Sequence, residues 1–511
     1  MRFPFRSAVV AVVAVVALAL AMAGCTSAST PAPAPTPQPG STVAPTPDLG
    51  RFYAQRPTWT GCKNGFQCTT IQVPLDYAQP GGTAITLALI RLPALDPSHR
   101  IGALLINPGG PGASGVTFAR EAARGFDKAV RDVYDIVGFD PRGVGSSTAV
   151  HCFGDKQEDA LLAYDGSPDT PAEEQGILAI SKQFADACES SSGALLPHIG
   201  TPDAARDMDV IRAVMGDAQM HYYGASYGTY LGATYADEFP TKVGRMVLDG
   251  ALDPALSALQ LAQGQMGGFV TALDSFLADC VKQSDCPVGH TMAEGLARLT
   301  ALIDSSDQHP LRTKSGRVAT QALVVLGVLF PLYSKGSWPV LRQALARANQ
   351  GNPDVLLYIA DQYADRDANG HYTTNELQAN VAINCLDRPD HETVAQLRAD
   401  AATFAKTSPM LGAYFAWGNA QCTVWPVQAS QAPHPLAALG AAPILVVGTT
   451  RDPATPYQWA VNLAHELSSG RLLTRVGDGH TGYLRGSACI DSAVDAYLVT
   501  GQEPAVGTVC H

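Results

Sequence analysis

The chain alternates between short, nearly continuous apolar runs and longer segments with helical spacing. Ile101–Asn107, Tyr134–Phe139, Ala218–Tyr223, Arg245–Asp249, Ala442–Gly448 and Arg471–Val476 have the length and apolar content of strands buried on both faces. Beyond Gly250-Ala251-Leu252-Asp253-Pro254 the period changes. Ala258–Asp279, Met292–Ser305, Ala319–Leu332, Trp338–Asn349, Asp354–Tyr363 and His391–Phe404 read as helices, with little strand character up to about Pro433. This pattern predicts an α/β sandwich interrupted by a mostly helical cap. Cys152–Pro197 reads as a second, smaller insertion. The expected boundaries are core at 51–254, cap at 255–433 and core again at 434–511.

The strand ends carry chemistry. Ala218–Tyr223 runs into Gly224-Ala225-Ser226-Tyr227-Gly228, a G-x-S-x-G pattern, and Thr229–Phe239 then has helical spacing. Such a turn from strand to helix is so tight that the positions two before and two after the Ser carry almost no side chain. It lifts the Ser oxygen above the sheet. A Ser nucleophile needs a base, and the base needs an orienting acid. Asp452 lies just past the strand Ala442–Gly448, where open α/β sheets place functional groups. His480 follows Arg471–Val476 in the loop Gly477-Asp478-Gly479-His480. The order Ser, Asp, His is that of the α/β-hydrolase layout, which makes the fold class an α/β-hydrolase with the cap inserted between nucleophile and acid.

Each assignment has a rival. Asp452 before Pro453 would also serve as a helix cap. Asp478 is the alternative acid, but it is too near His480 in sequence to reach behind its ring easily. His198, His221 and His511 are alternative bases, and none sits late in the chain on a strand-ending Gly loop. The strand Ile101–Asn107 leads into Pro108-Gly109-Gly110-Pro111-Gly112, whose glycines allow a bound oxygen close to the backbone. The expected oxyanion donors are the N–H groups of Gly110 and Tyr227. Asp140 and Arg142, after Tyr134–Phe139, are expected to brace these loops by an ion pair. Thr455 is expected to support the loop of Asp452.

Together, Asn107–Gly115, Asp140–Ser147, Gly224–Thr229, Asp452–Pro456 and Gly479-His480 resemble the secreted actinobacterial tripeptidyl aminopeptidases, in the proline-iminopeptidase-like branch of α/β-hydrolase serine peptidases. The resemblance covers nearly the whole chain after about residue 50. It implies Ser226 as nucleophile, Asp452 as acid, His480 as base and the Gly-Gly-Pro-Gly loop as oxyanion hole. It includes the segment Ala382-Ile383-Asn384-Cys385-Leu386-Asp387. One departure is Asn107-Pro108 where proline iminopeptidases carry His before Gly-Gly-Pro-Gly. That weakens any claim to specificity for amino-terminal proline and leaves the hydrolase reading intact.

An aminopeptidase must hold a free ammonium, which takes a carboxylate in a closed pocket at a fixed distance from Ser226. The candidates are Asp387, Glu376 and Glu392, with Asp387 leading because Cys385 would pin its backbone. Tyr414, Phe415, Trp417 and Trp425 are equally pocket wall or plain core. The substrates implied are peptides with a free amino terminus, of which short pieces, expected to be tripeptides, are released. An esterase on the same fold, acting on cell-envelope or antibiotic esters, and a non-catalytic binding lipoprotein are the alternatives. Acetylation of the substrate amine separates the first two, and labelling of Ser226 by a fluorophosphonate rules out the third.

The amino end supplies an address. Arg2 and Arg6 precede the apolar stretch Ala8–Met22, which is followed by Ala23-Gly24-Cys25. Residues 1–24 read as an export signal, whose apolar run Ala8–Met22 is too short for a comfortable span of about 20 residues. Cys25 resembles a lipidation site, with Met22 in place of the more usual Leu. The Pro/Thr/Ala-rich segment to residue 50 reads as a semi-stiff tether. The expectation is an exported lipoprotein on the outer face of the cell membrane. Ten of the 11 Cys remain once Cys25 is set aside, an even number suited to an oxidising compartment. Sequence leaves their connectivity open. Pairing of neighbours is the simplest arrangement: Cys62–Cys68, Cys152–Cys188, Cys280–Cys286, Cys385–Cys422 and Cys489–Cys510. No Cys pair has metal-ligand spacing with His nearby, so no metal or other cofactor is expected. A net charge of −12 and the lack of any basic run disfavour nucleic acid. A monomer is expected.

Overall fold

The structure, a computed structural model, describes residues 42–313, 316–389, 391–428 and 432–511. The export signal, Cys25 and most of the tether lie outside the described residues. The described residues form one compact unit.

Among the described residues twelve strands occur in chain order: β1 Thr60–Gly61, β2 Gln67–Pro74, β3 Ala84–Leu92, β4 Gly102–Asn107, β5 Tyr134–Phe139, β6 Met220–Ala225, β7 Val243–Asp249, β8 Leu311–Arg312, β9 Val318–Ala319, β10 Ile444–Arg451, β11 Gly470–Asp478 and β12 Val509–Cys510. Ten of them make one sheet in the order β1-β2-β3-β5-β4-β6-β7-β10-β11-β12, and β8 and β9 pair as a separate small ribbon. β1, β2 and β3 pair antiparallel, as does β3 with β5, and from β5 to β12 every pairing is parallel. The strand order reverses around β4, which is flanked by β5 on one side and β6 on the other. A crevice opens at such a reversal, outside the carboxyl ends of the strands. Every predicted chemical group except the cap carboxylates follows a strand end on this side.

The central strands are apolar because both faces are covered. Ala103, Leu105, Val137, Tyr222, Met246 and Val446 point into one buried cluster, while Leu104, Ile106, Ile136, Tyr223, Val247 and Val447 point into the other. Successive residues face opposite ways, so a continuous apolar run fills two cores at once.

Between β7 and β10 lie the helices Ala258–Cys280, Met292–Gln308, Gln321–Leu329, Trp338–Ala348, Asp354–Tyr363, Glu376–Asp387 and Val394–Phe404. They bury an apolar cluster of their own that includes Phe276, Leu299, Val324, Leu341, Leu356 and Phe404. Three details differ from the sequence reading. Ala319–Leu332 divides into the end of β9, the helix Gln321–Leu329 and a 3-10 turn, Phe330–Tyr333. Pro331, which has no N–H to donate, lies in that tighter turn. The last predicted helix begins at Val394, because Thr393 and Gln396 form a capping box there. Glu376–Asp387 is a helix that ends just before Arg388-Pro389, since a residue preceding Pro is pushed out of helical geometry.

All five neighbour pairs of cysteines form disulfides. Cys152–Cys188 closes the smaller insertion, and Cys385–Cys422 ties the helix Glu376–Asp387 to Ala420–Thr423. No helix among the described residues is long and apolar enough to cross a membrane.

Candidate active site

Ser226 stands between β6 and the helix Tyr227–Glu238, with φ 56° and ψ −127°. A non-glycine residue held there is strained, as an exposed nucleophile on a tight turn is. The neighbours explain why it persists. A Cβ on Gly224 would run into the carbonyl oxygen of Gly228, and one on Gly228 would come within 2.8 Å of Asn107 Oδ1. The Ser226 N–H donates to Asp249 O at 2.9 Å. Thr229 Oγ1 donates to Ser226 O at 2.6 Å and accepts the Leu252 N–H at 2.8 Å.

Asp452 is 2 % exposed and faces His480 squarely, with His480 Nδ1 at 2.8 and 2.9 Å from its two oxygens. It also accepts the N–H groups of Ala454, Thr455 and Thr481 at 2.9 to 3.0 Å. A carboxylate in that position holds the proton on Nδ1, which leaves Nε2 as the basic nitrogen. Thr455 supports the pair from both ends: its N–H binds Asp452, and its Oγ1 lies 3.4 Å from His480 Nδ1.

Asp249 binds the elbow and the histidine loop together, a role the sequence reading overlooked. Its carbonyl accepts from Ser226, and its buried carboxylate accepts the Gly482 N–H at 2.7 Å and the Tyr483 N–H at 2.9 Å. Burial pushes this carboxyl up to about 6, and the bonds from Tyr483, Gly482 and Tyr223 restrain the rise. The next residue, Gly250, is so close to the catalytic loops that a Cβ there would touch Thr481 at 3.1 Å and His480 Cε1 at 3.2 Å. The signal was present in the sequence: Asp249-Gly250 is a strand-ending Asp like Asp452.

The loop after β4 lies against the elbow. A Cβ on Gly109 would come within 2.9 Å of both Ser226 Cβ and Tyr227 N. Tyr227 is the first residue of its helix, so its N–H has no acceptor within it. No hydrogen bond among the described residues engages the N–H of Gly110. Asn107, at the position where proline iminopeptidases carry His, accepts the Gly109 N–H through Oδ1 at 2.9 Å and so shapes the loop.

Asp478 is not placed as an acid. It pairs with Arg451 (3.0 Å from Nη2) and lies 3.7 Å from Lys335 Nζ. Burial opposes its charge, but the bond and charge of Arg451 outweigh that and hold the carboxyl below its usual range. His221 is buried and accepts the Arg245 N–H at 3.0 Å. Burial, then the charges of Arg245 and Arg100, lower it to about 3, so it is a neutral structural residue. His198 lies 3.9 Å from Asp203, and His511 is exposed at the chain end.

Asp140 and Arg142 do not pair with each other. Asp140 accepts from Ser114 Oγ, Val116 N and Ser146 N, holding the start of the helix Gly115–Ala122 that follows the oxyanion loop. A carboxylate suits a helix amino end, where N–H groups point outward. Arg142 turns the other way, forks onto Asp207 at 2.7 and 2.8 Å, and donates to the carbonyls of Pro74, Leu75 and His198. Both residues brace loops, but through partners far away in sequence.

The carboxylate candidates separate clearly. Glu376 and Asp387 occupy opposite ends of one helix, about 16 Å apart at 1.5 Å per residue. Asp387 accepts from Thr201 N at 2.8 Å and Thr201 Oγ1 at 2.5 Å, and Thr201 Oγ1 lies 2.5 Å from the Tyr227 hydroxyl. It therefore anchors the helix Thr201–Val214 behind the elbow, and both of its oxygens are already engaged by Thr201. Glu392 accepts from Asn419 Nδ2 at 3.2 Å. Glu376 is different. Its helix starts over the oxyanion loop: a Cβ on Gly112 would lie 2.5 Å from Glu376 O, and Asn380 Nδ2 donates to Pro111 O at 3.0 Å. Burial, then the charge of Asp365, raises the Glu376 carboxyl to about 7. Its charge acts on the hydroxyls of Tyr333 and Tyr363.

Tyr333 joins this corner to the base. Its ring stands edge-on to His480 at 5.4 Å between centroids, and its carbonyl accepts the His480 N–H at 2.8 Å. Phe330 touches both Tyr333 and Tyr363, which closes an aromatic wall around the carboxylate. Phe415 is part of the same wall through Phe269, whereas Trp417 and Trp425 are buried in apolar clusters. Among the described residues no cluster of His, Cys, Asp and Glu is arranged to hold a metal ion.

A family described as TAP-like protein matches residues 408–510, the stretch that carries Asp452 and His480. The chain is 38% identical over 476 residues to the "Serine protease Hip1" of Mycobacterium tuberculosis, covering 88% of this chain and 90% of that one. It belongs to the tripeptidyl aminopeptidase-like family. Its relatives are named for more than one activity. A protein of Mycobacterium tuberculosis named "Carboxylesterase B" is also 38% identical, over 473 residues, 89% of this chain and 90% of that one. The "Tripeptidyl aminopeptidase" of Streptomyces lividans is 32% identical over 457 residues, 87% and 83% of the two chains. This tripeptidyl aminopeptidase-like chain has the α/β-hydrolase fold and is a serine hydrolase.

Proposed function

We propose that this enzyme is a serine exopeptidase that releases short peptides, expected to be tripeptides, from free amino termini. Ser226 attacks the carbonyl and His480 takes its proton, with Asp452 stabilising the imidazolium. The N–H groups of Gly110 and Tyr227 hold the oxyanion. His480 then protonates the leaving amine, and water hydrolyses the acyl-enzyme by the same route.

The observation that carries the reading is Glu376. A carboxylate at the start of a helix over the oxyanion loop, near Tyr333 and Tyr363, suits an ammonium: it supplies the opposite charge, and the rings supply their negative faces. The name of the Streptomyces relative supports the same reading. The "Carboxylesterase B" relative favours the second, in which the acyl bond is an ester and the amine is irrelevant. Peptide-coumarin substrates of one, two and three residues, each free and acetylated, decide between them beside a Ser226→Ala control. Turnover that needs the free amine and peaks at one length is the expected result. Equal turnover of blocked peptides, or of simple esters alone, would leave the esterase.

Five disulfides fit an extracytoplasmic location. Within that, Cys25 is proposed as the lipidated residue that holds the enzyme at the outer membrane face. A Cys25→Ala chain should leave the membrane fraction, and retention there would count against the anchor.

A further inference from the structure

A second cavity of about 260 Å³ lies in the cap, next to the site just described. Two of its lining residues bond to loops of the catalytic centre. Asn380 donates to Pro111 O in the oxyanion loop. Gln265 donates to Ala454 O beside Asp452. Asn384, Asn419, Gln421 and Tyr414 add amide and hydroxyl groups. The helix Glu376–Asp387 thus has its carboxylate Glu376 over one part of the crevice and, just past its carboxyl end, Arg388 over another.

Arg388 is 4 % exposed, lines this cavity and forms no ion pair among the described residues. Its Nε is buried with no hydrogen-bond partner. Its Nη1 makes one long bond, 3.4 Å, to Asn384 Oδ1. Its guanidinium carbon lies 5.7 Å from the Tyr230 ring centroid, on the helix that follows Ser226. Asp387, its neighbour in sequence, is committed to Thr201. Every other deeply buried arginine near the core has carboxylate or carbonyl partners: Arg142 has Asp207 and three carbonyls, and Arg212 has Asp209. A buried guanidinium is expected to be paired, because an uncompensated charge out of water is costly. Arg388 feels the charge of Asp387 but hydrogen-bonds to no carboxylate among the described residues; a guanidinium so placed at a polar cavity is poised for an anion brought in from outside, and its planar fork matches a carboxylate.

We infer that Arg388, with Asn384 and Gln265, forms a subsite for a carboxylate of the substrate. The inference rests on the peptidase reading for the identity of the substrate: the carboxylate is an acidic side chain or the carboxyl terminus of a short peptide. The two polar corners then orient a peptide, with its ammonium at Glu376 and its carboxylate at Arg388.

The test compares matched free-amine peptides on the whole enzyme, with cleavage read by chromatography. One set carries Glu or Gln at each of the first three positions. The other ends in a free carboxylate or a carboxamide at four and five residues. One pair should favour the carboxylate by about tenfold or more in kcat/KM. Preference within the Glu/Gln set assigns an acidic side chain, and preference within the other set assigns the carboxyl terminus. Arg388→Gln should bring that ratio toward one, and Arg388→Lys should keep part of it. Neutral peptides cleaved with no pair favouring the carboxylate, or a preference that survives Arg388→Gln, would overturn the subsite and leave the exopeptidase standing. If no free-amine peptide is cleaved while a nitrophenyl acetate is, the exopeptidase reading fails. The subsite is then decided on nitrophenyl glutarate against its monoamide, where preference for the acid supports it and none overturns it. The wild-type ratios decide even where Arg388→Gln does not fold.

Discussion

At the scale of single residues, the two aspartates near His480 make opposite predictions. Asp452 accepts three backbone N–H groups and the imidazole, so Asp452→Asn should lower kcat by about 10⁴ by favouring the wrong tautomer. Ser226→Ala should lower it by about 10⁶. Asp478 is occupied by Arg451 and makes no bond to the imidazole of His480, so Asp478→Asn should leave kcat within about a factor of three. Steady-state kinetics on one peptide substrate separates the three. Glu376 predicts a pH dependence. Its carboxyl is raised to about 7 by burial, so it is increasingly neutral as pH falls through 7 and loses its attraction for an ammonium. KM for free-amine peptides should rise on that descent, and Glu376→Gln should raise KM about 10- to 100-fold at pH 8 and flatten the pH dependence. Ser226, Asp452 and His480 were legible because each signal is local: two glycines, or a strand followed at once by a polar residue. Asp140 and Arg142 were legible as buried loop braces but not as partners. Arg142 finds Asp207 65 residues later, and nothing short-range encodes that.

At the scale of elements, the helix Glu376–Asp387 organises the crevice. Asn375, before its first turn, accepts from Gly145 N and donates to the carbonyls of Gly143 and Val150, which ties the cap to the loop after β5. Cys385–Cys422 fastens the other end. Replacing both cysteines by Ser should lower stability by about 2–4 kcal/mol in denaturant titration, and kcat/KM should fall with it because Glu376 and Arg388 share this helix. The apolar runs of β4, β5, β6, β7 and β10 announced themselves because two-sided burial demands them. This helix did not, since it carries polar residues such as Gln378, Asn380 and Asn384, which are hydrogen-bonded to Glu158, Pro111 O and one another. Pairing with distant groups lets a polar segment be buried, and it hides the segment from a reading by period alone.

At the scale of the molecule, several buried carboxyls sit above their ordinary range: Asp249, Asp387 and Asp495 at about 6, and Glu158, Glu376 and Glu466 at about 7, each mainly through burial. The sign follows from linkage. A carboxyl raised in the folded state holds its proton where the unfolded chain has lost it, so stability declines as pH rises from about 4 through 7. The net charge of −12 adds self-repulsion in the same direction. Thermal unfolding should therefore show a Tm several degrees higher at pH 5.5 than at pH 8.5, and the opposite trend would mean that these carboxyls are not raised in the folded protein.

The carbonyl of Tyr333 has one more consequence. Nucleophile and acid are furnished by strand ends, but the base's own backbone N–H is held by a turn of the inserted segment. The insertion is thus not an accessory module laid over a finished catalyst. A chain shortened by joining residue 254 to residue 434 would keep Ser226 and Asp452 in sequence yet lose the fastening of His480, so even a small acetate ester, which needs no roof to choose it, should go unhydrolysed. Lineages that diversify this enzyme are then confined to editing the wall residue by residue, since exchanging the whole insertion would exchange part of the catalyst with it.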